Sequence, residues 1–281
     1  MKGKIIKVLS NDYTVLSNNN KYICKARGKF RNMKLSPLAG DDVIFDEKNN
    51  YILEILERKN SLVRPPISNV DQALIITSVK EPDFSTNLLD KLLVVIEFNN
   101  IKPIICITKM DLLNEVEKEK IIYYINYYKN IGYDVYFNYQ IEEIKNTFKN
   151  KISVFTGQSG AGKSTLLNKI DNKLNIKTDE ISLALGRGKH TTRHVELIDI
   201  NGGMVADTPG FSNIDFIGLE NSDIRDSFIE FEHYKEHCEY RDCMHYKEDK
   251  CEVKNKVGKS IIPSRYDNYI KFITRSDRKW K

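Results

Sequence analysis

The stretch Ile152-Ser153-Val154-Phe155-Thr156-Gly157-Gln158-Ser159-Gly160-Ala161-Gly162-Lys163-Ser164-Thr165-Leu166-Leu167 decides how the rest of the chain is read. Residues 152–156 are mostly apolar and β-prone, and the run is short enough for a buried strand. Gly157 to Ser164 then fit G-x-x-x-x-G-K-S, and a helix is expected over 163–170. The motif needs a strand, a glycine-rich loop and a helix in that order. Glycines let successive N–H groups curl around phosphate oxygens, and the helix N-terminus adds its positive dipole end. Lys163 is expected on the β- and γ-phosphates and Ser164 on Mg²⁺. The bland alternative, a glycine-rich turn with a chance lysine, is outweighed by the complete motif in its proper context.

Upstream, Thr108-Lys109-Met110-Asp111 closes an apolar strand over 104–107. A carboxylate here suits guanine, whose N1–H and 2-amino group are two donors that one carboxylate accepts together. Adenine lacks that pair. The methylenes of Lys109 can lie along a base. Downstream, Asp207-Thr208-Pro209-Gly210 follows another short strand and fits D-x-x-G. Asp207 is expected to hold Mg²⁺ through water and the Gly210 amide to meet the γ-phosphate. The same four residues also make a good β-turn. Between them, Gly186-Arg187-Gly188-Lys189-His190-Thr191-Thr192-Arg193-His194 combines glycines, cations and hydroxyls, as in a switch loop. Thr191 or Thr192 is the natural Mg²⁺ ligand. Phe211 and Ser212 stand where a water-positioning Gln could follow Gly210. His190 can orient or deprotonate a water instead, or it can serve only as a phosphate or RNA contact.

The guanine-type motif thus precedes the phosphate loop, the reverse of the ordinary order. A circular permutation keeps the same sheet, because all these loops leave strands at their C-terminal ends. Alternating strands and helices from residue 70 onward imply a parallel α/β sheet. Helices are expected over 87–99, 114–131 and 142–149.

The flanks differ. Residues 1–64 read as five short strands with polar turns, fitting an OB-fold barrel ended by Pro65-Pro66. In the third part of the chain, Cys238, Cys243, His245 and Cys251 are spaced C-x4-C-x-H-x5-C, a donor set that closes a tetrahedral structural Zn²⁺ site. His233 and His237 are rival imidazoles, but His245 lies inside the cysteine cluster. The other two of the five cysteines, Cys24 and Cys106, fall in expected strands and read as core.

The 281 residues carry a net charge of +5, unevenly spread: +6 over 1–64, −8 over 65–253 and +7 over 254–281. Basic ends around an acidic middle suit a polyanion gripped at both ends, with Lys25 to Lys34 as one basic stretch. Plainly solvated basic faces are the other reading. No apolar run is long enough to cross a bilayer, and the first residues do not resemble a signal peptide. The odd cysteine count argues against a disulfide framework. A cytoplasmic location is expected.

Taken together, 108–111, 157–165, 186–194, 207–211 and the Cys/His cluster, with Arg64-Pro65-Pro66-Ile67-Ser68-Asn69-Val70-Asp71-Gln72-Ala73, make the chain resemble the RsgA (YjeQ/YloQ) family over essentially its whole length. The resemblance implies an OB-fold over 1–64, a circularly permuted GTPase domain over 65–218 and a small helical zinc domain over 219–281. It implies a monomeric GTPase that binds GTP and GDP with Mg²⁺ and acts on the 30S subunit and 16S rRNA in late maturation, stimulated by that subunit. Two departures stand out. Phe137-Asn138-Tyr139 occupies the place of a Ser-containing guanine loop, and Arg193 follows Thr192 where another Thr is common. Two other readings compete: a P-loop ATPase of RNA metabolism, which Asp111 opposes, and an RNA-binding protein with a vestigial nucleotide site, which Lys163 and Ser164 oppose.

Overall fold

A computed structural model describes residues 1–28, 30, 35–63, 65–171, 195–207 and 216–275, with only the backbone at 207 and 275. The N-terminal strands are β1 (Lys2–Leu9), β2 (Asp12–Ser17), β3 (Asn20–Ala26), β4 (Asp42–Asp46) and β5 (Tyr51–Ile55). They pair in the ring β1-β2-β3-β5-β4-β1, with β3 and β5 parallel. That is a closed five-stranded barrel, which leaves no free edge. Alternate residues turn inward, so Ile5, Tyr13, Val15, Cys24, Val43, Phe45 and Ile52 fill it. A register shift between Ile5 and Lys7 curls β1.

The two prolines do not simply end this unit. β6 (Ser61–Val63) and β7 (Pro66–Ser68) form a small hairpin in which Val63 opposes Pro66. A proline is tolerated as the first residue of a strand, where no N–H is needed.

The central sheet comes next: β8 (Gln72–Ser78), β9 (Lys102–Thr108), β10 (Asp134–Phe137), β11 (Ile152–Gly157), β12 (Val195–Ile200) and β13 (Gly203–Asp207). The spatial order is β10-β9-β8-β11-β13-β12, all parallel except β12. β8, β9 and β11 are buried almost throughout, as expected of strands covered on both faces. Their side chains alternate between two cores. Ala73, Ile75, Ile105 and Val154 face α1 (Thr86–Phe98) and α2 (Glu115–Asn130). Leu74, Ile76, Cys106 and Phe155 face α3 (Ile141–Asn146) and α4 (Lys163–Ile170). α3 stops earlier than its sequence pattern indicates. The Thr147 carbonyl accepts a 2.9 Å bond from the Gln72 amide, and Phe148 turns into the core.

The barrel is not a separate bead. β1 pairs antiparallel with the outer strand β12 through Lys7–Glu196 and Val8–Val195, and Lys7 and Glu196 form a 2.8 Å ion pair. The chain ends in a helical module: α5 (Asn221–Asp226), α6 (Glu232–Lys235), α7 (Glu252–Lys256) and α8 (Pro263–Arg275). Phe228, Phe231, Tyr269 and Phe272 build its core, together with Cys243, Cys251 and Val94 of α1. No helix among the described residues is long and apolar enough to cross a membrane.

Candidate nucleotide and metal sites

Five parallel strands end at one edge of the sheet, and each end carries or adjoins a motif: Ser78, Thr108, Phe137, Gly157 and Asp207. Ligands of open α/β sheets bind at such an edge. Gly157 has φ +137°, and a Cβ there would run into the Ile76 carbonyl, so only glycine lets the loop leave the sheet at this point. Gly160 and Gly162 also have positive φ, and Gly162 caps α4. Gln158, Ser159 and Gly160 are exposed, Ala161 is buried and Thr165 is exposed on the first turn of α4. Lys163 and Ser164 are buried at that helix start. The Lys163 ammonium donates to the Gly157 carbonyl at 2.7 Å and the Gln158 carbonyl at 3.0 Å. Burial lowers its pKa from the ordinary lysine value. A phosphate would supply the counter-charge it lacks among the described residues.

The 108–111 motif is tied to this loop directly. Thr108 Oγ1 donates to the Ala161 carbonyl at 2.8 Å. Lys109 is left-handed at φ +63° and starts the single turn Met110–Leu112, which leaves Asp111 exposed. The Lys109 ammonium donates to the Glu81 carbonyl. Behind the turn, Asn114 and Glu117 form a capping box at the start of α2, and the Glu117 carboxylate also pairs with Lys80 at 3.1 Å. The guanine-type turn is therefore held between the phosphate loop and segment 79–85. That segment was not singled out from sequence; only the N-x-x-E spacing of the capping box was a legible signal. Phe137 and Tyr139 stack at 5.3 Å, leaving Tyr139 exposed at the same edge. Asp207 closes β13 there. His190, Thr191, Thr192 and Gly210 lie outside the described residues.

In the C-terminal module, Cys238, Cys243, His245 and Cys251 bring their ligand atoms within 4.8 Å of one another. Cys238 Sγ is 3.6 Å from His245 Nδ1 and 3.9 Å from Cys251 Sγ, and His245 Nδ1 is 3.3 Å from Cys251 Sγ. A tetrahedron built on Zn–S bonds of ~2.3 Å has edges of about 3.8 Å, so the set fits a zinc ion. Burial pushes the Cys251 thiol up to about 12 and His245 down to about 4, so the imidazole is neutral and can donate its lone pair. The rivals His233 and His237 are not in the cluster. Tyr266 Oη donates to the His245 carbonyl at 2.8 Å and Tyr269 Oη to that of Met244, fixing the loop on α8.

Of the Lys25–Lys34 stretch, Lys25 pairs with Asp12 at 2.5 Å, while residues 29 and 31–34 lie outside the described set, as do 276–281. Arg265 belongs to the basic C-terminal block, yet it is fully buried between Asp90 (2.7 Å) and Glu230 (2.8 Å).

Comparison with known proteins agrees with this geometry. The RsgA GTPase profile matches residues 55–217 and the RsgA N-terminal domain profile residues 2–52. The small ribosomal subunit biogenesis GTPase RsgA 2 of Oceanobacillus iheyensis is 51% identical, covering 97% of this chain and 96% of its own. The RsgA of Bacillus velezensis is also 51% identical, with the same coverage. The crystal structure of YloQ, a circularly permuted GTPase, matches with TM-score 0.83 and 43% identity over 100% of this chain and 96% of that one. YjeQ from Thermotoga maritima matches with TM-score 0.85 and 34% identity over 99% of both chains.

Proposed function

The chain belongs to the RsgA family of ribosome biogenesis GTPases, and on that premise we propose that it hydrolyses Mg²⁺-bound GTP to GDP and phosphate as a monomer on the small ribosomal subunit, in contact with 16S rRNA, in the cytoplasm. One observation carries the nucleotide part: Thr108 bonds the phosphate loop at Ala161, so the guanine-type and phosphate-type motifs form one site. Gly157 to Thr165 offer backbone amides to the phosphates, and Lys163 adds charge. Asp111 accepts from the base, and the stem of Lys109 lies along it. Ser164, Thr191 or Thr192, and Asp207 through water would hold Mg²⁺, which would neutralise charge on the transferred phosphoryl group. The Gly210 amide meets the γ-phosphate. His190 orients the attacking water, in a chain with no Gln after Gly210. Zn²⁺ on Cys238, Cys243, His245 and Cys251 is structural, since four protein ligands leave no open position.

GTP turnover measured with and without 30S subunits tests the reading. Slow turnover alone, accelerated tenfold or more by the subunit, is expected. Equal turnover of ATP would favour the ATPase reading, and no turnover under either condition the vestigial site.

Asp111→Asn tests the base pocket. Losing two charge-assisted hydrogen bonds, at about 1.5–3 kcal/mol for a bond to a charged group, should weaken GTP binding at least tenfold. Xanthosine triphosphate should gain relative to GTP, because its C2 carbonyl can accept from the new amide. Unchanged GTP/XTP selectivity in competition binding would remove Asp111 from this role.

A further inference from the structure

Asn268 lies on α8, in the metal-bearing module, and is 3% exposed. Its amide makes three contacts, all on α1. Nδ2 donates to Asp90 Oδ2 at 2.6 Å and to Thr86 Oγ1 at 3.3 Å, and Oδ1 accepts from Asn87 Nδ2 at 3.1 Å. Both the oxygen and the nitrogen of the amide are paired, and directional bonds of this kind fix position as well as filling space. Asp90 does not depend on it alone, because Arg265 Nη1 and Tyr128 Oη also donate to Asp90 Oδ1, at 2.7 and 2.6 Å. What only Asn268 grips from this module, among the hydrogen bonds of the described residues, is the first turn of α1.

That turn carries the nucleotide edge. Ser85 caps α1, its side chain accepting from the Leu88 N–H at 3.2 Å. The segment just before it supports both motifs. The Val79 N–H donates to the Thr108 carbonyl at 3.2 Å, the Glu81 carbonyl holds the Lys109 ammonium, and Pro82 lies beside Gly160. At the other end, the two tyrosines of α8 hold the metal-binding loop through His245 and Met244. Covalent or hydrogen-bonded steps thus run from the Cys/His cluster to Lys109.

We propose that Asn268 is a positioning residue for the nucleotide site: by fixing Thr86 and Asn87 it holds segment 79–85 under Lys109 and the phosphate loop, so that the C-terminal module sets the affinity for guanine nucleotide. The proposal rests on the GTPase reading above.

The test uses the full zinc-loaded chain carrying Asn268→Leu. Its metal content and cooperative melt should persist, since Arg265 and Tyr128 still hold Asp90. The KM for GTP should rise about 3- to 10-fold, the worth of one or two hydrogen bonds, with kcat changed less than twofold. Release of a fluorescent GDP analogue should quicken by the same factor as KM rises. Asn87→Ala removes a single contact with Asn268 and should move KM in the same direction by a smaller factor; it decides the matter if the first variant fails to fold. A folded, metal-loaded Asn268→Leu with wild-type KM and release rate overturns the proposal, as does wild-type KM in Asn87→Ala should the leucine variant not fold. If the unaltered protein neither binds nor hydrolyses GTP, the GTPase reading itself fails, a distinguishable outcome.

Discussion

Lys163→Ala is expected to lower GTP turnover by about 10²–10³-fold, the cost of removing one preorganised donor from a developing negative charge. The structure explains why the loss falls on function and not on folding. The ammonium is buried against two loop carbonyls with no carboxylate partner among the described residues, and burial lowers its pKa. A lysine whose charged form is disfavoured in the fold does not stabilise the ligand-free chain electrostatically. Its removal should therefore leave the melting temperature without nucleotide unchanged within a few degrees. The stabilisation by GTP should shrink. At a concentration 100 times Kd a ligand adds about 2.7 kcal/mol to stability, and a variant with much weaker binding loses most of that. Two measurements settle it: single-turnover hydrolysis, and thermal melts with and without GTP. Wild-type turnover would sink the assignment. So would a large drop in the ligand-free melting temperature, which would make Lys163 a structural residue.

The contrast between Lys163 and Arg265 shows what could be read from residue order and what could not. The place of Lys163 was legible because its surroundings are local: six residues of loop and the helix behind it set them. The clustering of Cys238, Cys243, His245 and Cys251 was legible for the same reason, all four falling within 14 residues. The permuted sheet followed from motif order, since each motif marks a strand end. Arg265 lies in the basic block 254–281, but the fold buries it, so it is not free to meet a polyanion. Its partners Glu230 and Asp90 lie 35 and 175 residues away, and no local pattern announces such a pair. The β1–β12 pairing was hidden likewise, as two residues on each strand carry it. Segment 79–85 lacks a motif of its own, and its importance comes from what it touches.

The same distinction governs the C-terminal module, where a local cluster supports long-range contacts. Cys251→Ala is expected to unfold residues 219–275 while the barrel and the central sheet retain their own cores. Cys243 and Cys251 are buried in the module core beside Phe231 and Tyr269, so the Cys/His cluster and the apolar core are one unit. That core is small for independent stability, and small domains of this kind lean on a metal. A structural zinc contributes about 10–16 kcal/mol of apparent binding free energy in isolated zinc-finger peptides, as much as the whole stability of a typical domain, about 5–15 kcal/mol. Removing it also strands the buried Asp90–Arg265–Glu230 network. Glu230 and Arg265 belong to the module, so its unfolding takes both the guanidinium and the Asn268 amide away from Asp90 and bares that face of α1 to water. Loss of zinc should therefore reach α1 as well, and chelation of the unaltered protein should reproduce the effect of the substitution. Amide exchange can follow both regions: protection in α7 and α8 should vanish, and that in α1 should fall, while β2 to β5 stay protected. A chain that carries no zinc by metal analysis, or that keeps α8 protected after chelation, would show that the apolar core alone holds the module.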